Sequence, residues 1–314
     1  MKDKPKAVFL DIASLDRGDL QLDELRAQAS ELRLHDATGV QQTRERISGY
    51  QVVITNKVVI DAEVMQASPS LRLILVAATG TNNVDLQAAQ RLGIRVVNCR
   101  AYGTPSVAQH TLMLMLVLIT RFESYRTAVQ AGAWQTSSQF CLLDYPIGEL
   151  SGRTLGILGY GELGQAVARL AEAFGMRVVV GALPGRPHGG RPGLRELLAE
   201  VDVLSLHCPL TEQTRNMIDA KALSWMKPGS LLINTARGGL VDEQALAESL
   251  RSGHLGGAAC DVLSQEPPVD GNPLLDNSVP NLIITPHCAW GSREARQRIV
   301  LQLAQSLANY QDGD

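Results

Sequence analysis

The sequence has no apolar run long enough to cross a bilayer. Its longest, Leu112 to Ile119, falls far short of the roughly 20 residues a spanning helix needs, and it reads as a buried helix. Paired cysteine motifs are also missing. Cys99, Cys141, Cys208, Cys260 and Cys288 are odd in number, widely spaced and without a CxxC pair, which argues against a disulfide framework and for a reduced, cytoplasmic protein; no metal site is expected. The N-terminus MKDKPKAVFLDIASLD turns charged again at Asp11 and carries no small-residue cleavage pattern, so the mature chain is expected to start near Met1. A strong charge of either sign is absent too. A net charge of -3 offers no surface for nucleic acid, and neither it nor the hydropathy points to a membrane, leaving small molecules as the expected partners. No internal repeat of solenoid length occurs.

What is present is a long alternation of strand and helix signals. With 314 residues the chain has room for two domains, each with its own core. Apolar runs suited to strands recur at Ala7 to Ile12, Gln51 to Thr55, Leu73 to Ala77, Arg95 to Asn98, Thr154 to Leu158, Arg177 to Val180, Asp202 to Leu206, Leu231 to Asn234, Gly257 to Asp261 and Leu282 to Thr285. Helical segments such as Asp242 to Ser252 lie between them. Continuous apolar strands alternating with helices imply parallel sheets covered on both faces, hence an α/β fold of two doubly wound, Rossmann-like domains. Ser106 to Thr120 is apolar on nearly every side, so it must be covered at a domain junction or by a second subunit. The arm that follows, Trp134 to Tyr145, packs either on its own domain or, the preferred reading, on a partner subunit.

The segment TLGILGYGELGQAVARLAEAFGMRVVV sets Gly159, Gly161 and Gly164 in a G-x-G-x-x-G array between a strand and an amphipathic helix. The first glycine permits the tight turn, the second admits a pyrophosphate to the backbone, and the third lets helix and strand pack closely. A purely structural turn is the alternative, made less attractive by the complete strand, turn, helix and strand around it. At the end of the next strand, where NAD sites commonly carry an acid for the ribose 2′-hydroxyl, Gly181, Ala182 and Leu183 stand instead. Arg186, His188 and Arg191 follow in a Gly/Pro loop. Without a carboxylate to repel a 2′-phosphate, and with guanidinium groups to bind one, this loop favours NADP(H) over NAD(H), unless the arginines are ordinary solvated loop charges.

Three polar residues end later strands. Arg237 follows LLIN, Glu266 lies five residues beyond the Asp261 that closes GAACD, and His287 follows LIITP. Ligands of open α/β sheets bind at that rim. Reduction of a 2-keto acid needs a cation for the carboxylate and ketone, a proton donor for the developing alkoxide, and a group that orients and tunes the donor. Arginine, histidine and glutamate answer these needs in turn. Taken singly, Arg237 could pair with Glu243, Glu266 could be a loop charge before two prolines, and His287 could be a satisfied core histidine.

The stretches GYGELG, HCPLTEQTRNMI, MKPGSLLINTARGGLVDEQAL, GGAACDVLSQEPP and NLIITPHCAWGSREA resemble the D-isomer-specific 2-hydroxyacid dehydrogenase family, most closely its glycerate dehydrogenase or hydroxypyruvate reductase branch. The resemblance covers almost the whole chain. It implies Arg237 as the substrate-binding cation, His287 as proton donor or acceptor and Glu266 as the group that orients it. It places Glu162 and Leu163 in the pyrophosphate turn, and His207, Cys208 and Pro209 beside the adenosine. Thr235, Ala236 and Arg237 would line the nicotinamide ribose, with Asp261 at the carboxamide and Thr104 near the cofactor. VAATGTNNVD matches the substrate loop, with backbone N–H groups near Thr79 and Gly80 for the carboxylate, and Trp290 would wall the pocket for a short substrate.

The resemblance also implies a substrate domain, residues 1–100 plus 289–314, around a nucleotide-binding domain, residues 101–288, with the active site in the cleft between them. A homodimer would form through a helix and arm at about 104–145. Gln109 departs from a glutamate that many members carry in this helix, with little expected consequence. The expected reaction is NAD(P)H-dependent reduction of hydroxypyruvate, with glyoxylate as a further substrate. Another D-2-hydroxy acid, or a dinucleotide-sensing corepressor-like role, stays open. Formate dehydrogenases of this fold carry a glutamine where Glu266 stands, which speaks against that activity.

Overall fold

The computed structural model describes residues 4–310, so Met1, the expected start of the mature chain, lies outside the described residues. The chain divides into two compact units, one holding the residues up to Gly103 together with those from Gly291 on, the other Thr104–Trp290.

The first unit contains β1 (Lys6–Phe9), α1 (Asp23–Arg26), β2 (Glu31–Leu34), α2 (Val40–Ile47), β3 (Val52–Thr55), α3 (Ala62–Gln66), β4 (Leu73–Val76), α4 (Leu86–Arg91) and β5 (Arg95–Asn98). All strand pairs are parallel, in the order β2-β1-β3-β4-β5. The central strands VVIT and LILV are buried throughout, as a sheet covered on both faces requires. Strand β2 was not expected. Its sequence ELRL alternates charged and apolar residues and lies at the sheet edge, where only one partner covers it, so it never shows the continuous apolar run of a central strand. Asp61 and Asp85 start α3 and α4 by accepting the backbone N–H of Val64 and Ala88.

The second unit contains α5 (Thr104–Ile119), α6 (Phe122–Gln130), β6 (Thr154–Leu158), α7 (Glu162–Ala173), β7 (Arg177–Gly181), α8 (Leu194–Glu200), β8 (Val203–Leu206), α9 (Ala220–Trp225), β9 (Leu231–Asn234), α10 (Glu243–Arg251), β10 (Gly257–Cys260) and β11 (Leu282–Ile284). Its six parallel strands run β11-β10-β9-β8-β6-β7. The chain therefore moves outward from β6 to β7, then crosses back to β8 on the other side of β6. That reversal is the topological switch point at which open α/β sheets bind ligands. Successive residues of β6 feed opposite cores: Leu155 and Ile157 pack with Met115 of α5 and Val167 of α7, Leu158 with Leu197 of α8, Leu223 of α9 and Leu246 of α10.

Within one chain helix α5 is covered in part: Val107, Ala108, Leu112, Leu114, Met115 and Leu118 are buried, while Met113 is 41% exposed and Leu116 and Val117 are half-buried. Helix α6 buries none of its residues. Among the described residues no helix is long and apolar enough to cross a membrane.

The last helix, α11 (Arg293–Ala308), belongs to the first unit, with Ile299, Val300 and Leu303 buried there. Both terminal nitrogens of Arg296 bond Asp19, at 2.8 and 2.7 Å, and this bidentate pairing holds the Asp19 carboxyl down at about 2.

Candidate active site

The turn after β6 is shaped by two glycines that no other residue could replace. Gly159 adopts φ +99°, and a Cβ there would lie 2.5 Å from the backbone of His207 and Cys208, which follow β8 across the switch point. A Cβ on Gly164 would strike the carbonyl oxygen of Gly159, so the first turn of α7 sits directly on the strand end. Gly161 is exposed at the N-cap of α7 and no side chain caps that end, leaving backbone N–H groups directed outward as an anion cradle. Thr104 Oγ1 donates to Glu162 Oε1 at 2.6 Å, which ties the start of α5 to this turn, and Leu163 is half-buried beside it.

Across the switch point, Ser205 Oγ and His207 Nε2 are 2.8 Å apart, while His207 Nδ1 is buried without a partner. Burial pushes this imidazole down to about 4, so it is neutral. Burial pushes the neighbouring Cys208 thiol up to about 11, with the charge of Arg186 opposing the shift. Arg186 is thus brought near Cys208, and Pro209 follows it in the chain. Ala182 is buried with its N–H bonded to Pro192 O at 2.9 Å, and Leu183 packs against the core. The positions where an acid was sought are occupied by apolar packing.

On the same sheet, Asn234 ends β9 and folds its side chain over the turn that follows: Nδ2 donates to Arg237 O at 2.9 Å and Oδ1 accepts from Ala236 N at 3.1 Å. The turn projects Arg237 as an exposed side chain whose Nη1 bonds only the carbonyl of Ala236, and no acid pairs with it among the described residues. Glu243 is engaged elsewhere, accepting from Ser264 and Asn272.

Beyond the next strand, β10, Glu266 Oε1 accepts Leu263 N–H at 2.9 Å and Oε2 lies 2.6 Å from Nδ1 of His287, which follows β11. Both side chains are 34% exposed, neither buried nor fully solvated. His287 adopts φ +52°, a left-handed conformation that side-chain-bearing residues rarely hold unless their surroundings impose it. The imposition comes from Asp261. Its carbonyl accepts His287 N–H at 2.7 Å, while its buried carboxylate accepts the Thr285 hydroxyl at 2.5 Å and the N–H groups of Cys288 and Ala289 at 2.9 Å each.

A polar stripe on α5 reaches the same loops and was not read from the sequence. Ser106 Oγ donates to Ala289 O, His110 Nε2 meets Thr285 Oγ1 at 3.1 Å, and Thr111 Oγ1 meets Thr235 Oγ1 at 3.0 Å. Burial lowers the His110 imidazole from its ordinary value, partly offset by the Asp261 charge. The signal available was a Ser, His and Thr at helical spacing inside an otherwise apolar helix.

Trp290, half-buried, ends this unit. Thr79 and Gly80 belong to the first unit, beyond the end of β4, where Asn98 Nδ2 donates to Thr79 O at 2.6 Å.

The sequence profile of the D-isomer specific 2-hydroxyacid dehydrogenase NAD-binding domain matches residues 112–289. The chain belongs to that family. It is 45% identical to the glycerate dehydrogenase of Methylorubrum extorquens over 98% of this chain and 96% of the relative. It is 36% identical to the hydroxypyruvate reductase of Blautia hydrogenotrophica over 98% and 97% of the two chains. The crystal structure of the TT0316 protein from Thermus thermophilus superimposes with a TM-score of 0.84 at 37% identity, covering 96% of this chain and 95% of that one. As a D-2-hydroxyacid dehydrogenase the chain is an oxidoreductase that uses a nicotinamide dinucleotide, and the matched dinucleotide-binding domain lies within its second unit.

Proposed function

We propose that this enzyme reduces hydroxypyruvate, and glyoxylate as a further substrate, reversibly to the D-2-hydroxy acid, with NADPH favoured over NADH. The observation that carries the reading is the 2.6 Å contact of His287 with Glu266 in the unit that also displays the unpaired Arg237. The relatives named for glycerate and hydroxypyruvate turn this general keto-acid chemistry toward a three-carbon substrate.

The nucleotide site fits a dinucleotide by its own geometry: a turn that no Cβ could enter, an uncapped helix N-terminus and a buried His207 nitrogen without a partner. Gly159, Gly161, Glu162, Leu163 and Gly164 would surround the pyrophosphate. His207, Cys208 and Pro209 would meet the adenosine, Thr235 and Ala236 the second ribose, Asp261 the carboxamide, and Thr104 the turn that Glu162 begins. A reduced nicotinamide held there would supply hydride chemistry at the ketone carbon of the keto acid. Arg237 binds the substrate carboxylate and draws electron density toward the ketone oxygen, and Thr79 and Gly80 offer backbone N–H groups from the first unit. His287 then gives its Nε2 proton to the alkoxide, while Nδ1–H donates to Glu266 and the carboxylate stabilises the imidazolium from which the proton departs. Trp290 would limit the length of the substrate. Rates with two- to four-carbon 2-keto acids, each with NADH and NADPH, test the reading; no turnover on any of them overturns it.

Glu266→Gln keeps an acceptor for Leu263 N–H but leaves His287 a neutral partner. A hydrogen bond to a charged group contributes about 1.5–3 kcal/mol, so kcat should fall about 10- to 100-fold while dinucleotide affinity holds. Stopped-flow turnover and a fluorescence titration separate the two quantities.

NADPH preference rests on Arg186 near Cys208 and on apolar packing in place of an acid at Ala182 and Leu183. Arg186→Ala should raise the Kd for NADPH about tenfold, the loss of one charge-assisted bond, and leave NADH binding unchanged. Equal effects on both cofactors would remove Arg186 from the 2′-phosphate.

The uncovered apolar surface of the second unit supports a homodimer. Phe122 and Val129 on α6 and Phe140 and Leu143 on the arm are exposed, Phe140 at 90%, alongside the strip left open on α5. Trp134 Nε1 bonds Phe140 O, and the Tyr125 and Tyr145 rings meet edge-on at 5.2 Å, so the arm is held in a defined shape. Phe140→Ser with Leu143→Ser should halve the mass seen by sedimentation; an unchanged mass would place the interface elsewhere. All five cysteines are unpaired, which suits the cytoplasm.

A further inference from the structure

Beside the proton-transfer pair lies a group of three side chains, of which only Asp261 has a part in the proposed reaction. A ring nitrogen of His110, a carboxylate oxygen of Asp261 and Cys288 Sγ all lie within 4.8 Å of one another, and His110 Nε2 is 3.7 Å from Asp261 Oδ1. It is the one group of three or more His, Cys, Asp or Glu ligand atoms this close among the described residues. Ligands around a tetrahedral ion with bonds of about 2.0–2.3 Å stand about 3.3–3.8 Å apart. The imidazole and carboxylate are already at that spacing, and closing the widest separation calls for a movement of about 1 Å at most.

The donor set and its surroundings are those of a site rather than of chance proximity. An imidazole nitrogen, a carboxylate oxygen and a sulfur form a mixed set that suits a borderline-soft divalent ion and leaves a fourth position open. Thr285 Oγ1 touches both His110 Nε2 and Asp261 Oδ1, so a hydroxyl already stands where the ligands converge. A second shell is in place, since Ala289 N–H holds Asp261 Oδ2. An entry path exists as well: Asp261 is buried and His110 nearly so, but Cys288 is exposed and offers its sulfur to solvent.

We infer that His110, Asp261 and Cys288 bind Zn2+ and that the bound ion inhibits the enzyme. Binding forms metal bonds to nitrogen, oxygen and sulfur, breaks the S–H bond of Cys288 and releases that proton to solvent; nothing is oxidised or reduced. The ion takes the Asp261 oxygen from the Thr285 hydroxyl and the Cys288 N–H. Those two bonds hold the segment from Thr285 to Ala289, and His287 sits between them. The zinc form therefore loses the alignment of His287 with Glu266. Because Asp261 is also the residue assigned to the carboxamide, bound dinucleotide excludes the ion. The inhibitory consequence rests on the reading of His287 as proton donor; the binding itself does not.

The test uses the full-length enzyme free of dinucleotide. Equilibrium dialysis should give one Zn2+ per chain, with affinity about 100-fold weaker in Cys288→Ser, a loss at the upper end of what disturbing a metal site costs. Co2+ in place of Zn2+ should produce a near-ultraviolet thiolate-to-cobalt band, absent in Cys288→Ser. Turnover of the parent should fall with Zn2+ and be protected by excess NADPH, whereas Cys288→Ser keeps the parent's basal rate and resists the ion. No stoichiometric zinc, or equal binding and an equal cobalt spectrum in Cys288→Ser, overturns the site. Zinc held through Cys288 with turnover unaffected overturns the inhibition, whereas the role of His287 falls only if His287→Asn turns over near the parental rate.

Discussion

His287→Ala is expected to lower kcat by about 10²- to 10⁴-fold, the range that a positioned general acid contributes, with dinucleotide affinity unchanged. The geometry gives the reason. Nδ1 is committed to Glu266 at 2.6 Å, so Nε2 is the nitrogen left to exchange a proton with substrate. Alanine at φ +52° adds backbone strain of its own, which could lower activity through the fold. His287→Asn resolves that ambiguity, since asparagine tolerates the left-handed region but cannot transfer a proton near neutral pH. The asparagine variant should show parental thermal unfolding and the same loss of turnover as the alanine variant. If it turns over near the parental rate, proton transfer belongs to another group.

Gly238→Ala should be the most damaging small substitution at the rim. A Cβ on Gly238 would fall inside bonding range of the Leu263 carbonyl and of Ser264 N, and both are backbone atoms with no rotamer to change. The turn after β9 and the loop after β10 must separate. The first carries Arg237, and the second carries the Leu263 N–H that anchors Glu266, so one methyl group displaces two members of the site. Overpacking of this kind costs about 1–3 kcal/mol, to be read from the urea midpoint, and kcat/KM should fall by more than the stability loss explains because orientation is lost as well. Parental stability together with parental kinetics would show that the two loops do not pack as described.

Much of the architecture was legible because the signals are local. Strands covered on both faces are apolar along most of their length, and β3, β4, β6, β8 and β9 announce themselves that way. Edge strand β2 escaped because half-burial lets charge alternate with leucine. The G-x-G-x-x-G turn was readable because steric exclusion at Gly159 and Gly164 acts within a few residues of chain. The polar stripe of α5 was not. Ser106, His110 and Thr111 find their partners at Ala289, Thr285 and Thr235 only when a helix packs across the rim of a sheet more than a hundred residues later.

The sequence by itself determined the family, two α/β units, the G-x-G-x-x-G turn and the choice of Arg237, Glu266 and His287 as the residues to follow. Tertiary structure decided how those three stand. Glu266 and His287 are 21 residues apart and meet at 2.6 Å; Arg237 has no acidic partner among the described residues because Asn234 shapes its turn while Glu243 is drawn to Ser264 and Asn272. It also decided that His287 is held in a left-handed backbone by Asp261, whose carboxylate lies beside His110 and Cys288. The division has a physical cause. Patterning and steric exclusion act between neighbours in the chain, whereas hydrogen-bond partners are chosen among whatever groups the packed sheet rim brings within about 3 Å.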